Sequence, residues 1–303
     1  MQITLIHNPG AGDGSHPDQQ ELQGMIKAAG HDVFYQSARN EEWADALQRP
    51  ADLVVVAGGD GTVARVARRL IGGNLPFTAL PMGTANNISK SLGLLGKSTE
   101  EHIAGWQDAR RIKLDVGAAH GPWGEDNFIE GIGLGLFAWM MPKADASEKM
   151  ASIDDPDEAI SYALKMLQRM LKEHQPEHIK ATLDGRDISG NYLLFEAMNM
   201  PYVGPNLHLA PNADTGDGLF DVVAVTESHR AELLANLHEW HEGQPVPPLL
   251  PAFRGKRLHI EATANNVHID DKIWQAGDSA RPGRADIDVR VLPAALECLL
   301  PPH

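Results

Sequence analysis

Gly58, Gly59, Asp60, Gly61 and Thr62 stand in a row, and their types suit a loop that holds phosphate groups. Glycines lack the Cβ that would keep phosphate oxygens away from backbone amides. The residues before them, LVVVA from Leu53 to Ala57, form a continuous apolar strand; those after them place Val63, Val66, Ala67, Leu70 and Ile71 at helical spacing. A strand that runs through glycines into a helix gathers free N–H groups and the positive end of the helix dipole at one point, which is an anion site. Asp60 inside such a loop repels phosphate unless a cation or water intervenes, so it implies Mg²⁺ or a water-mediated role. Thr62 can cap the helix or donate its hydroxyl to a phosphate. A tight strand-to-helix turn with a capping Asp and no ligand would use the same residues. A second element, PMGTANN, again sets a glycine and a hydroxyl residue, Gly83 and Thr84, between a buried strand and a helix, with Asn86 and Asn87 available to bond phosphate or to cap. Neither element has the Lys-Ser/Thr ending of a P-loop or the third glycine of the dinucleotide fingerprint.

These loops need a frame to hold them side by side. Strand patterns at Met1 to His7, His31 to Gln36, Asp52 to Ala57 and Phe77 to Leu80 alternate with helical patterns at Pro17 to Ala29, Trp43 to Gln48, Thr62 to Ile71 and Met82 to Leu92. Apolar strands alternating with helices predict a Rossmann-like open α/β domain with a parallel sheet, whose ligands bind at the carboxyl edge. Beyond about Leu114 the pattern changes. Alternating runs at Asn127 to Ile132, Ile179 to Leu183, Tyr192 to Met198, Phe220 to Val225, Arg257 to Ala262, Asn266 to Ile269 and Ala285 to Val291 predict a C-terminal antiparallel β-sandwich domain. Glu158 to Glu173 is the clearest helix there, Gln244 to Pro251 reads as a proline-rich connection, and GIGLGLFAWMM from Gly131 is either an acyl-chain groove or a buried strand and helix.

The 303 residues suffice for two domains, each with its own core. A hydrophobic content of 43% with 22% charged residues is that of a folded globular chain. Lys plus Arg is 26 against 41 Asp plus Glu, a net charge of −15 that opposes nucleic-acid binding and lasting attachment to anionic lipid. No apolar stretch reaches the roughly 20 residues of a transmembrane helix and no secretion signal is present, so a cytoplasmic protein is expected. The lone Cys298 fits a reducing compartment. The 14 histidines are scattered, and His238 and His241 read as a polar helix face.

Taken in order, HNPGAG, GGDGT, PMGTANN and APNADTGDGLFDV resemble the diacylglycerol kinase catalytic-domain family, which is related to sphingosine kinases and, more distantly, to NAD kinases. The resemblance spans nearly the whole chain and implies an ATP-dependent lipid kinase acting on diacylglycerol or a related lipid, met transiently at a membrane surface. It implies an ATP-binding domain over residues 1–114, with residues 292–303 returning to it, and a β-sandwich domain over residues 115–291. Carried over by motif, Asn8, Ser37, Gly58, Gly59, Asp60, Gly61, Thr62, Val63, Ala64, Gly83 and Thr84 hold ATP. A structural metal loop runs from Asp214 to Asp221, with Asp214, Asp217 and the carbonyl of Leu219 as ligands for Mg²⁺ or Ca²⁺.

The sequence departs from the family at its last motif. Where the family has Asp-Gly-Glu, VHIDDKIW has Asp270, Asp271 and Lys272; Asp270 aligns with the Asp expected to take the proton from the lipid hydroxyl, and a shift of one residue would give the role to Asp271. On an alternating strand only one of the two would face the cleft. Asn87 replaces a carboxylate of the family, leaving Asp60 and Asp115 in the acidic network. Asp60 and Asp270 are therefore the expected catalytic pair. A nucleotide-binding regulator with little activity, or a kinase of a soluble substrate such as NAD, is the alternative, and the oligomeric state stays open.

Overall fold

The structure is a computed structural model and describes residues 1–241, 250–264, 266–275 and 283–302. All but the last two residues of the proline-rich connection at Gln244 to Pro251 lie outside the described residues. The chain forms two compact units, Met1–Leu114 with Ala294–His303, and Asp115–Pro293.

The first unit alternates strand and helix: β1 Gln2–His7, α1 Gln19–Ala28, β2 Asp32–Ser37, β3 Leu53–Gly58, α2 Asp60–Leu70, β4 Phe77–Pro81, α3 Asn87–Ser91 and α4 Thr99–Ala104. Its strands are parallel in the order β2-β1-β3-β4, and the end of the last strand of the chain (Gly283–Leu300) joins beside β4, with Cys298 opposite Phe77. Every residue of β3 is buried, as its uninterrupted apolar run requires. Helix α1 starts two residues into the predicted segment, where Asp18 accepts N–H bonds from Gln20 and Glu21 and the Glu21 carboxylate accepts the Asp18 N–H. Its Leu22 and Ile26 then pack on Ile3, Leu5 and Val55. Helix α2 begins at Asp60, two residues before the predicted start, because Gly59 takes the N-cap position. The expected glycine loop is thereby mostly the first turn of a helix.

In the second unit β5 Arg110–Gly121, β6 Gly124–Phe128, β7 Gly131–Gly135, β8 Glu177–Leu183, β9 Arg186–Asp187, β10 Gly190–Met198, β11 Phe220–Thr226, β12 Ala252–Gly255, β13 Arg257–Ala264, β14 Asn266–Ile269, β15 Lys272–Gln275 and β16 Gly283–Leu300 pair antiparallel. Alternation assigns the faces. On β11, Phe220, Val222 and Ala224 enter one core with Phe128, Phe195 and Ile260, while Val223 and Val225 enter a second core with Leu164, Leu167, Leu233 and Leu237. That second core lies under helices α5 Leu136–Asp145, α7 Pro156–Glu173 and α8 Arg230–His241; a four-residue helix, α6 Glu148–Ala151, joins α5 to α7. Asp155 caps α7 through the Glu158 N–H, and at its other end the Arg230 guanidinium donates to the carbonyls of Leu171 and His174. The apolar run from Gly131 resolves into the buried strand β7 and the start of α5, with Leu136, Phe137 and Met140 in the interior. Asn127 to Ile132, expected as one strand, is broken after Phe128, since the amides at the break turn to a side chain far along the chain.

Candidate active site

The parallel sheet delivers its carboxyl ends to one edge. β1 lies between β2 and β3, so the chain leaves β1 towards one side of the sheet and later builds on the other; ligands of open α/β sheets bind at such a reversal. Three loops meet there. After β1, the Asn8 side-chain N–H donates to the Thr62 hydroxyl at 3.2 Å while the Asn8 Oδ1 accepts the Gly10 N–H. After β3, Gly59 opens α2 without any side-chain cap, which leaves the start of that helix suited to an anion. After β4, Gly83 lies so close to Gly59 that a Cβ on Gly83 would be 2.4 Å from the Gly59 Cα. The two glycine loops therefore touch backbone to backbone, which no residue with a side chain permits.

Asp60 ties them together. Its two carboxylate oxygens accept the N–H groups of Asn87 and Ile88, both at 2.9 Å, at the start of α3. Asn86, in the left-handed region at φ 52°, closes the Gly83 turn from both sides, accepting the Gly83 N–H and donating to its carbonyl. Asn86 is thus a clasp for the loop, and Thr84 stands exposed at its tip. Ser37 ends β2, with its Oγ accepting the Arg39 N–H, and helps to line an open groove of about 700 Å³ with Pro9, Asp18 and Tyr35. Val63 and Ala64, carried over as nucleotide contacts, face the interior of α2's packing at 1% exposure each. The sequence motifs also pass over Arg39. A Cβ on Gly10 would be 1.5 Å from its guanidinium, so a positive charge lies against the first loop; its only sequence signal is its place two residues beyond Ser37.

The acidic loop of the second unit hangs on Asp115, which is 2% exposed and accepts the Gly218 N–H at 2.6 Å while its own N–H donates to the Thr215 carbonyl. Of the proposed metal ligands, Asp214 accepts the Gly216 N–H and Asp217 accepts the Leu219 N–H. The Asp217 carboxylate also pairs with the guanidinium of Arg254, which reaches Asp221 at 3.5 Å. Burial pushes the Asp221 carboxyl up, and Arg254 works against that shift. The cation of this loop is thus a side chain of the protein. Among the described residues no group of three or more His, Cys, Asp or Glu side chains could hold a metal ion. The donor set of Asp214, Asp217 and Leu219 does not fit the expected Mg²⁺ or Ca²⁺, because Arg254 already takes Asp217.

The altered triplet corrects a second expectation. Asp270 and Asp271 are not on a strand at all: they form the tight turn between β14 and β15, with Ile269 opposite Lys272. Asp270 has φ 49° and is 5% exposed. Its carboxylate accepts the N–H groups of Ile129, Glu130 and Gly131 at 2.8–3.2 Å, and its own N–H donates to the Gly131 carbonyl. A carboxylate so enclosed anchors the turn. Asp271 is exposed beside it. Lys272 pairs with Asp126 at 2.6 Å.

Behind the turn is a pair that sequence motifs did not indicate. His268 and Glu196 are both 0% exposed, with the imidazole Nε2 2.6 Å from the Glu196 Oε2. The other ring nitrogen, Nδ1, donates to the Asp270 carbonyl at 3.2 Å. Burial pushes the Glu196 carboxyl up. Burial acts on His268 in the opposite sense, but Glu196 and Asp270 outweigh it and shift the imidazole up.

An open parallel sheet with touching glycine loops, followed by an antiparallel unit, defines a kinase fold of the diacylglycerol kinase and NAD kinase type. Residues 2–119 match the diacylglycerol kinase catalytic domain, and residues 142–300 match the YegS C-terminal NAD kinase beta sandwich-like domain. The chain belongs to this family of YegS-like diacylglycerol kinases, and it is a phosphotransferase with an alcohol group as acceptor, a lipid kinase. A diacylglycerol kinase of Mycobacterium tuberculosis is 29% identical over 266 residues, covering 86% of this chain and 80% of that one. A Klebsiella pneumoniae protein named "Probable lipid kinase YegS-like" is 24% identical over 310 residues, covering 99% and 96%. In fold, a diacylglycerol kinase of Bacillus anthracis superposes with a TM-score of 0.70 at 20% identity, covering 99% and 97% of the two chains. A yeast NADH kinase superposes with a TM-score of 0.56 at 12% identity, covering 100% and 84%. No described helix is long and apolar enough to cross a membrane.

Proposed function

We propose that this lipid kinase takes the γ-phosphoryl group of ATP and places it on a hydroxyl of diacylglycerol or a related lipid, which it meets transiently at a membrane surface. The observation that carries the nucleotide half is the contact of Gly59 with Gly83 beside the uncapped start of α2. Backbone amides and the helix dipole there favour phosphate, with Arg39 adding positive charge against the Asn8 turn. The lipid half is supported by the names of the relatives.

Asp60 has a double use in this scheme. Its bonds to Asn87 and Ile88 hold the two glycine loops in register, and it is the residue that would hold a Mg²⁺ accompanying ATP. Mg²⁺ supplies charge neutralisation at the transferring phosphoryl group. Asp271, exposed at the β14–β15 turn, orients the lipid hydroxyl and accepts its proton. The hydroxyl oxygen bonds to the γ-phosphorus as the bond to the bridging oxygen breaks, and ADP leaves with that electron pair. The test is transfer of radiolabelled phosphate from ATP to a panel of lipids by the wild type, Asp60→Ala and Asp271→Asn. Loss in both variants is expected; unchanged lipid phosphorylation in both overturns the assignment, and labelling of NAD in place of lipid identifies a soluble-substrate kinase.

A further inference from the structure

A fully buried glutamate and histidine are costly to keep in a core, because desolvation opposes any charge on either of them. Glu196 and His268 carry a further cost. Among the described residues the Glu196 Oε1 has no hydrogen-bond partner, although it is buried. The fold also makes room for the pair: a Cβ on Gly133 would be 1.9 Å from the Glu196 carboxylate, so only glycine fits opposite it on β7. Phe137 packs edge-on against the imidazole, with ring centres 4.8 Å apart. Two apolar residues would fill this volume with less penalty.

The position of the pair gives it a use. His268 is on β14, two residues before the turn, and its Nδ1–H must donate to the Asp270 carbonyl, since a carbonyl only accepts. Glu196 fixes the other nitrogen. The turn is thus held at three places: its carbonyl by His268, its carboxylate by the amides of Ile129 to Gly131, and its amide by the Gly131 carbonyl. We infer that Glu196 and His268 are positioning residues for phosphoryl transfer, a buried brace that sets the β14–β15 turn so that Asp271 is presented in one orientation. This rests on the assignment of Asp271 as proton acceptor in the proposed function. Among the described residues, Asp270 is the other charged group whose field acts on His268.

The double substitution Glu196→Met with His268→Leu removes the brace while keeping a filled apolar core. Full-length wild type, this double variant and Asp271→Asn are compared by thermal melting, by ATP binding and by kcat and KM for ATP with diacylglycerol in mixed micelles. The expected result is a double variant with near wild-type melting temperature and KM for ATP but kcat lowered about tenfold to a hundredfold, the cost of misplacing a reacting group by about 1 Å. Wild-type kcat in the folded double variant, with Asp271→Asn inactive, overturns the brace and leaves the proposed function standing. Wild-type kcat in Asp271→Asn overturns that assignment and the brace with it. Should the double variant not fold, Glu196→Gln, which keeps a hydrogen bond to His268, is measured beside His268→Ala. Retained kcat in the first and a loss of at least about tenfold in the second, at unchanged KM for ATP, supports the brace; equal kcat in the two overturns it.

Discussion

Gly83→Ala tests the proposed phosphate site through a single methyl group. The backbone at Gly83 has no positive φ, so alanine brings no conformational strain there and the effect is steric. The new Cβ would be 2.4 Å from the Gly59 Cα, 3.1 Å from the Asn86 Oδ1 and 3.3 Å from the Gly59 N. Carbon atoms rest at about 3.5 Å or more, so the loops must part by roughly 1 Å. The nearest obstacle is backbone, and Asp60 holds Asn87 and Ile88 to the same frame, so no flexible side chain can yield instead. The cost of such overpacking is about 1–3 kcal/mol in stability. A displacement of that size at a site of transfer costs about 10²-fold in rate. Calorimetric titration with ATP and the lipid kinase assay should both show the loss. Gly24→Ala, on α1 with nothing within 4 Å of its Cβ, is the control and should raise stability by about 0.5–1 kcal/mol without touching activity. Wild-type ATP affinity and turnover in Gly83→Ala would refute the joint role of the two loops.

Asp270→Asn and Asp271→Asn should separate structure from chemistry: the first lowers the melting temperature more, because the amides of Ile129 to Gly131 lose their anion, whereas the second chiefly lowers kcat. Equal melting curves for the two would contradict the anchoring role. Arg254→Ala should cost about 0.2–1 kcal/mol, the pair being partly exposed, and should turn a melting temperature indifferent to Ca²⁺ and EDTA into one raised by Ca²⁺. A Ca²⁺-dependent rise in the wild type would show that the loop takes metal despite Arg254. Burial lowers both His102 and His174, with Arg230 adding to the shift at His174. Their unfolded forms therefore bind protons more readily than the folded ones. The stability they contribute is present above about pH 6.5, the ordinary histidine value, and is lost as pH falls from there through the folded values. Melting temperatures from pH 8 to 5 check this, and a flat profile in that acid window would refute it.

What the sequence revealed was local. The run from Leu53 into Gly58, the helical pattern behind α1 and the helix at Glu158 to Glu173 each lie within a few residues, where periodicity and turn chemistry operate. What it hid was paired across long separations. Asp60 meets Asn87 and Ile88, 27 and 28 residues away, and His268 meets Glu196 across 72. Strand register sets such contacts, and register depends on the whole sheet. The same limit explains the expectation about Asp270. Two aspartates after VHI continue a strand by alternation alone; only the return of Lys272 opposite Ile269 shows that they are its turn.

That turn changes how the departure from the family triplet is to be understood. If Asp270 were the proton acceptor, Asp271 and Lys272 would be erosion around an intact catalytic group. The structure divides the labour differently: Asp270 spends its carboxylate on the backbone, and what reaches solvent is decided by the residues after it. Asp271 then keeps an acid at the surface of the turn. Lys272 is held by Asp126, so its charge is balanced within the unit. The Asp217–Arg254 pair follows the same logic, since a guanidinium supplies there the charge expected of a metal. In both places a basic side chain stands where the family resemblance implied an acid or an ion, and in both the local acid is already paired with it. The protein has thus internalised countercharges at these two places.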